Sequence, residues 1–108
     1  MRGSVTRAAP VFAALGDETR LELVARLSAD GPLSIVRLTE GAGVSRQAIT
    51  KHLHALAEAG LVRSLRRGRE RIWQIRTGRL AEAGRALEQI SEQWDRALER
   101  LRAFVEDD

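Results

Sequence analysis

The chain has no cysteine, no tyrosine, two prolines and a single lysine, Lys51. Without thiols it can form neither a disulfide nor a thiolate metal site, which fits a reducing compartment. No apolar run approaches the roughly 20 residues that a membrane span needs, and no secretory h-region is present. A cytoplasmic protein with no membrane partner is expected. Catalytic groupings are lacking too. No nucleophile, histidine and carboxylate stand at telling positions. Gly41-Ala42-Gly43 lacks the strand and the lysine of a phosphate-cradling loop. Neither enzyme activity nor a cofactor is expected.

A length of 108 residues fits one domain. A chain this short buries only part of its surface, so self-association is a natural way to enlarge the core. The net charge of +3 is unevenly spread. Residues 61–80 hold seven arginines against Glu70 alone, whereas residues 81–108 hold four basic and eight acidic side chains. The basic stretch is an electrostatic footprint for a polyanion. The blander reading is a solvated arginine-rich hairpin.

The organising stretch is Leu33 to Leu56. Leu33 to Thr39 reads as a short helix with Ile35, Val36 and Leu38 apolar. Gly41, Ala42 and Gly43 break it, and Val44 is expected to plug the turn. Ser45 is a good N-cap for a second helix, in which Ala48, Ile49, Leu53 and Leu56 share one side. Arg46, Gln47, Thr50, Lys51 and His54 fall on the other side, which is rich in donors. Two helices joined by a glycine turn, the second with such a face, make a helix-turn-helix.

Around this unit, residues 1–9 read as a flexible tail, and Met1 to Ser4 resembles a vector-derived leader. Pro10 fits the first turn of a short helix carrying Val11, Phe12 and Leu15. Asp17 caps the next helix, whose inner stripe is read as Leu21, Val24 and Leu27 with Leu23 beside it. Gly31 and Pro32 end that helix, and Ala59-Gly60 ends the recognition helix. Leu61 to Arg76 reads as a β-hairpin turning at Arg67 to Glu70, with Leu65, Trp73 and Ile75 facing the core. Trp73 is expected to pack rather than to stack on a base. The last segment, Leu80 to Phe104, is one long helix with a heptad seam. Leu80, Leu87, Trp94 and Leu101 form one row, and Ala83, Ile90, Ala97 and Phe104 the other. So long a stripe calls for a homodimer, with Val11 and Phe12 adding to the interface. The units are then a tail (1–9), a DNA-binding domain (10–77) and a dimerisation helix (78–106) in one compact body.

With these residues in view, the chain resembles the ArsR-type family of bacterial winged helix-turn-helix repressors. The resemblance runs from about Phe12 to Arg76. It rests on Leu15-Gly16-Asp17-Glu18-Thr19-Arg20, on the run from Val44 to Leu56 (VSRQAITKHLHAL), on Ala59-Gly60-Leu61-Val62 and on Arg67-Gly68-Arg69. It implies a mainly α fold with a small β-hairpin, and a dimeric repressor that binds double-stranded DNA. Metal-sensing members carry a cysteine motif in the first helix of the helix-turn-helix, or histidine with carboxylates on the last helix. Leu33 to Thr39 has no thiol and the last helix has no histidine, so the chain resembles the cysteine-free, non-metal branch.

The residues expected to meet DNA are Ser45, Arg46, Gln47, Thr50, Lys51 and His54 on the recognition helix. Arg66, Arg67, Arg69 and Arg71 are expected to join them from the wing. Arg46 and Gln47 are assigned to base edges, because arginine pairs bidentately with guanine and glutamine with adenine. His52 and His54 lie about 200° apart on a helix and cannot share one ion, so no metal site is expected. Trp94 reads as an apolar knob between helices in preference to an effector pocket, and the residues identify no small-molecule effector. The rival to a DNA-binding regulator is a winged-helix interaction module that binds a partner chain through its coiled C-terminal helix.

Overall fold

Polar side chains begin three of the helices by taking up orphan amide protons. The Asp17 carboxylate accepts from the Arg20 amide at 3.0 Å, the Ser34 hydroxyl from Arg37 at 3.3 Å, and the Ser45 hydroxyl from Ala48 at 3.1 Å. In the computed structural model, which describes residues 2–106, the elements follow in this order: α1 Arg2–Leu15, α2 Glu18–Asp30, β1 Leu33–Ser34, α3 Ile35–Thr39, α4 Arg46–Glu58, β2 Val62–Arg67, β3 Glu70–Ile75 and α5 Thr77–Glu106. The protein is therefore mainly helical, with α3 and α4 as the helix-turn-helix and β2–β3 as its wing.

The end of α4 is closed by backbone. The Leu61 amide donates to the Leu56 carbonyl and the Gly60 amide to Ala57, each at 3.0 Å, the paired bonds of a Schellman motif. Gly60 has φ +79°, and a Cβ there would lie 3.0 Å from Arg79 Cγ. The conformation calls for glycine, while the exposed Arg79 side chain would have to shift by a few tenths of an ångström. The wing turns through Gly68 and Arg69. Gly68 has φ +64° and Arg69 a negative φ, the sign pattern of a type II′ hairpin turn.

The sheet is antiparallel with order β1-β3-β2. Trp73 lies in its centre, opposite Leu33 on one side and Ser64 on the other. The core joins Leu23, Val24 and Leu27 of α2, Leu38 of α3, and Ile49, Leu53 and Leu56 of α4 to Leu61, Val62 and Trp73. Ala8 and Val11 of α1 extend it onto Ala83 and Ala86 of α5. Arg26 ties α2 to α3, donating to the carbonyls of Leu38 at 3.0 Å and Arg37 at 2.9 Å. It thereby satisfies carbonyls that a helix end leaves open.

Several expectations are corrected by these contacts. Residues 2–9 do not form a tail: α1 is helical from Arg2 and carries Pro10 inside it. Burial of Ala8 and Val11, one helical turn apart, outweighs the amide proton that proline removes. Met1, the first residue of the presumed tail and leader, lies outside the described residues. Leu33 and Ser34 are a short strand rather than the start of the helix, because they pair with Trp73 and Ile72. Leu21 is 53% exposed, and Leu23 takes the inner position assigned to it. Leu65 lies on the outer face of the wing opposite Ile72, and Val44 is exposed instead of filling the turn.

Asp17 makes the start of α2 sensitive to acid. The bond from the Arg20 amide holds its carboxyl below the ordinary value of 3.8; desolvation opposes this in part, and the positive charge of Arg20 adds a lesser lowering. A carboxyl lowered in the folded state stabilises the fold above its unfolded pKa, and loses that effect as pH falls through the folded one. The melting temperature of Asp17→Ala should thus lie below wild type at pH 7. The gap should close on acidification below about pH 4. Circular dichroism melts at both pH values measure it, and a gap that is constant with pH would remove the carboxylate from the explanation.

Candidate nucleic-acid interface

The outer face of α4 is set by its periodicity. Ile49, Leu53 and Leu56 are buried, which turns Arg46, Gln47, Lys51 and His54 to solvent. Only Glu58, in the last turn, brings a carboxylate to this helix. Two of the residues expected at the interface have internal duties as well. The Ser45 hydroxyl caps α4, and the half-buried Thr50 donates its hydroxyl to the Arg46 carbonyl at 3.0 Å.

Arg66, Arg67, Arg69 and Arg71 are all exposed on the wing. Arg66 stands directly opposite Arg71 across the β2–β3 ladder, while Arg67 stands opposite Glu70. Like charges in that relation repel, so the pair costs the free protein stability that a bound polyanion would return. Arg71 is held in place by its bond to the Ser64 hydroxyl at 2.9 Å. On the opposite face, Arg63 donates through Nε and Nη2 to the Gln74 carbonyl oxygen, each at 2.7 Å.

The two histidines of α4 go separate ways. His52 turns inward, with its Nδ1 3.8 Å from the Asp17 carboxylate and 3.4 Å from Arg20 Nη1. Arg20 also donates from Nε to the Ala14 carbonyl at 2.6 Å, so it joins the end of α1 to α2 and the recognition helix. Periodicity places His52 at the edge of the buried face, where a structural hydrogen bond or a phosphate contact is expected, but it does not identify the partner Arg20, 32 residues away. The His54 ring lies against Trp73, with centroids 5.9 Å apart and planes inclined at 50°. Among the described residues no group of three or more histidine, cysteine, aspartate or glutamate side chains is gathered as a metal would need. No helix among them is long and apolar enough to cross a membrane.

The expected dimer residues divide in two. Val11 and Ala83 are buried within the protomer and offer no surface to a partner. Phe12 and Leu80 are half-buried against the same core. Leu87, Ile90, Trp94, Leu101 and Phe104 are exposed, with Ala97 half-buried among them and Leu98 and Val105 as further exposed apolar neighbours. At 1.5 Å per residue α5 is about 45 Å long, and it draws the molecule out to 69 × 28 × 20 Å.

Residues 15–64 match a family model described as a helix-turn-helix domain. Over 85 residues the chain is 39% identical to an HTH-type transcriptional regulator of Mycobacterium tuberculosis, an alignment covering 79% of this chain and 76% of that protein. Its fold is similar to that of an ArsR-like transcriptional regulator from Rhodococcus sp. RHA1. That comparison gives a TM-score of 0.77 at 41% identity and covers 94% of this chain and 95% of the other. A homodimeric winged helix-turn-helix DNA-binding domain from Mycobacterium bovis superposes with a TM-score of 0.62 at 25% identity, over 88% of this chain and 84% of the other.

Proposed function

The chain belongs to the ArsR-like family of winged helix-turn-helix transcriptional regulators, and from that membership we propose that it is a homodimeric, sequence-specific repressor acting on a palindromic operator. The observation that carries the reading is the donor-rich outer face of α4 beside four exposed wing arginines. Two recognition helices related by a two-fold axis enter successive major grooves about 34 Å apart, so each operator takes two chains. Self-association is supported by the exposed apolar row on α5 and by the homodimeric relative from M. bovis. The lack of cysteine favours an inducing signal other than a thiol-bound metal, and a cytoplasmic site of action follows from the role.

Within this reading Arg46 and Gln47 read base edges, because the first turn of a recognition helix meets the groove floor. Ser45, Thr50 and Lys51 lie beside them toward bases and phosphates. Arg66, Arg67, Arg69 and Arg71 meet phosphate or the minor groove, where contacts position the protein without specifying sequence.

The two roles separate by experiment. A duplex selected by the wild-type protein from a randomised pool serves as operator, with a scrambled duplex beside it. Arg46→Ala should lose about 1–3 kcal/mol on the operator and little on the scrambled duplex. Arg69→Ala should weaken both alike and reduce the slope of log K against log salt by about one. Equal losses on both duplexes for Arg46→Ala would withdraw base reading from that residue.

A further inference from the structure

We propose that His54 is a positioning residue: its imidazole, set against Trp73, fixes the angle between the recognition helix and the wing. This role rests on the DNA reading above and differs from the direct DNA contact that an exposed histidine on the outer arc of α4 suggests.

The geometry carries the inference. The two rings are 5.9 Å apart and tilted by 50°, within the range in which aromatic pairs attract. Trp73 is 3% exposed and occupies the middle strand, so it cannot yield without disturbing both neighbours. Its partner on β1 is Leu33, at the approach to the helix-turn-helix, and its partner on β2 is Ser64. The Ser64 hydroxyl in turn accepts from Arg71. Residues two apart on a strand share a face, so Arg71 and Trp73 lie on one side of the sheet, with Ser64 and Arg66 opposite them. The ring contact of His54 with Trp73, the ladder pairing of Trp73 with Ser64 and the bond from Arg71 to Ser64 thus connect the third turn of α4 to the wing. A ring that holds Trp73 in place thereby sets where the Arg66 and Arg71 guanidinium groups stand relative to Arg46 and Gln47. Phosphate and base contacts must be met together, so a small rotation of the wing weakens both.

The test uses substitutions that separate the ring from its hydrogen-bonding atoms. His54→Phe keeps a ring against Trp73 and removes every donor. His54→Asn keeps a donor and removes the ring. Binding to the selected duplex should stay near wild type for His54→Phe and fall about tenfold for His54→Asn. Because the effect passes through the wing, the His54→Asn loss should shrink when Arg71→Ala is already present. In the free protein, nuclear Overhauser contacts between the His54 and Trp73 ring protons should be seen without DNA. A His54→Asn protein that binds normally while His54→Phe fails would make His54 a direct donor to DNA and overturn the proposal. Equal behaviour of the two variants, or full additivity with Arg71→Ala, would also overturn it. Ring contacts present in a wild-type protein that shows no operator preference would remove the DNA-reading premise instead, and the role with it.

Discussion

In the proposed homodimer, Ile90→Glu combined with Trp94→Glu is expected to separate the chains as folded monomers and to lower affinity for the proposed operator by at least about 100-fold. Both side chains are exposed in the protomer, Trp94 at 66%. Neither belongs to the core that unites α1, α2, α4 and the sheet, so a carboxylate at either position costs the isolated chain little. In a two-helix seam the same substitution brings four carboxylates together among apolar groups. Burial of unpaired charge is among the most costly changes available to an interface. Once the chains separate, each wing and recognition helix holds a half-site alone, and the gain from linking two such modules disappears. Sedimentation velocity should show one chain, circular dichroism an unchanged helix signal, and anisotropy the loss of binding. A variant that remains dimeric would move the interface off this face of α5. The choice of positions matters. Glutamate at Val11 or Ala83, which the sequence pattern assigns to the interface, would be driven into the protomer's own core and would unfold the chain rather than divide the proposed dimer.

The second large effect lies inside the recognition helix. Leu53→Ala should cost about 2–5 kcal/mol and lower the melting temperature by about 10 °C or more. Leu53 is fully buried between Ile49 and Leu56, the residues that press α4 onto α2 and the sheet. Small domains rarely hold more than about 5–15 kcal/mol in total, so this loss is a large part of the whole. Leu21→Ala is the matched control. The same atoms are removed from a side chain that is 53% exposed, and the cost should stay below about 1 kcal/mol. Urea titration of the three proteins provides the comparison. Equal midpoints for the two variants would contradict the assignment of inner and outer faces.

That pair of leucines also marks what could be read from residues in order. The recognition helix was legible because its signals agree: Ser45 caps it, apolar residues keep one face for three turns, and Ala59-Gly60 closes it. The wing turn was legible from Gly68 between two β-rich runs, and α5 from its unbroken heptads. Leu21 and Leu23 were ambiguous because α2 carries apolar residues on neighbouring positions, and only packing decides which are covered. The same holds for Leu65, whose strand has one apolar neighbour on each face of β3, Ile72 and Trp73. Two-residue β1 has no signal of its own, since its pairing partner is about forty positions away. Pro10 argued for a late start to α1, but the alanine-lined contact with α5 decides it. At the interface, charge and exposure pointed to the arginines. The link from Arg20 to His52 and the contact of His54 with Trp73 depend on distant segments meeting, which no local spacing encodes.

The most direct measurement is fluorescence anisotropy of the wild-type protein across a salt series, with DNA from the region upstream of its own gene and a scrambled duplex in parallel. A specific regulator should favour the upstream fragment by about 10³-fold or more, with two chains bound per site. Absence of binding to either duplex at low salt would contradict the account and favour a winged-helix domain that binds another protein.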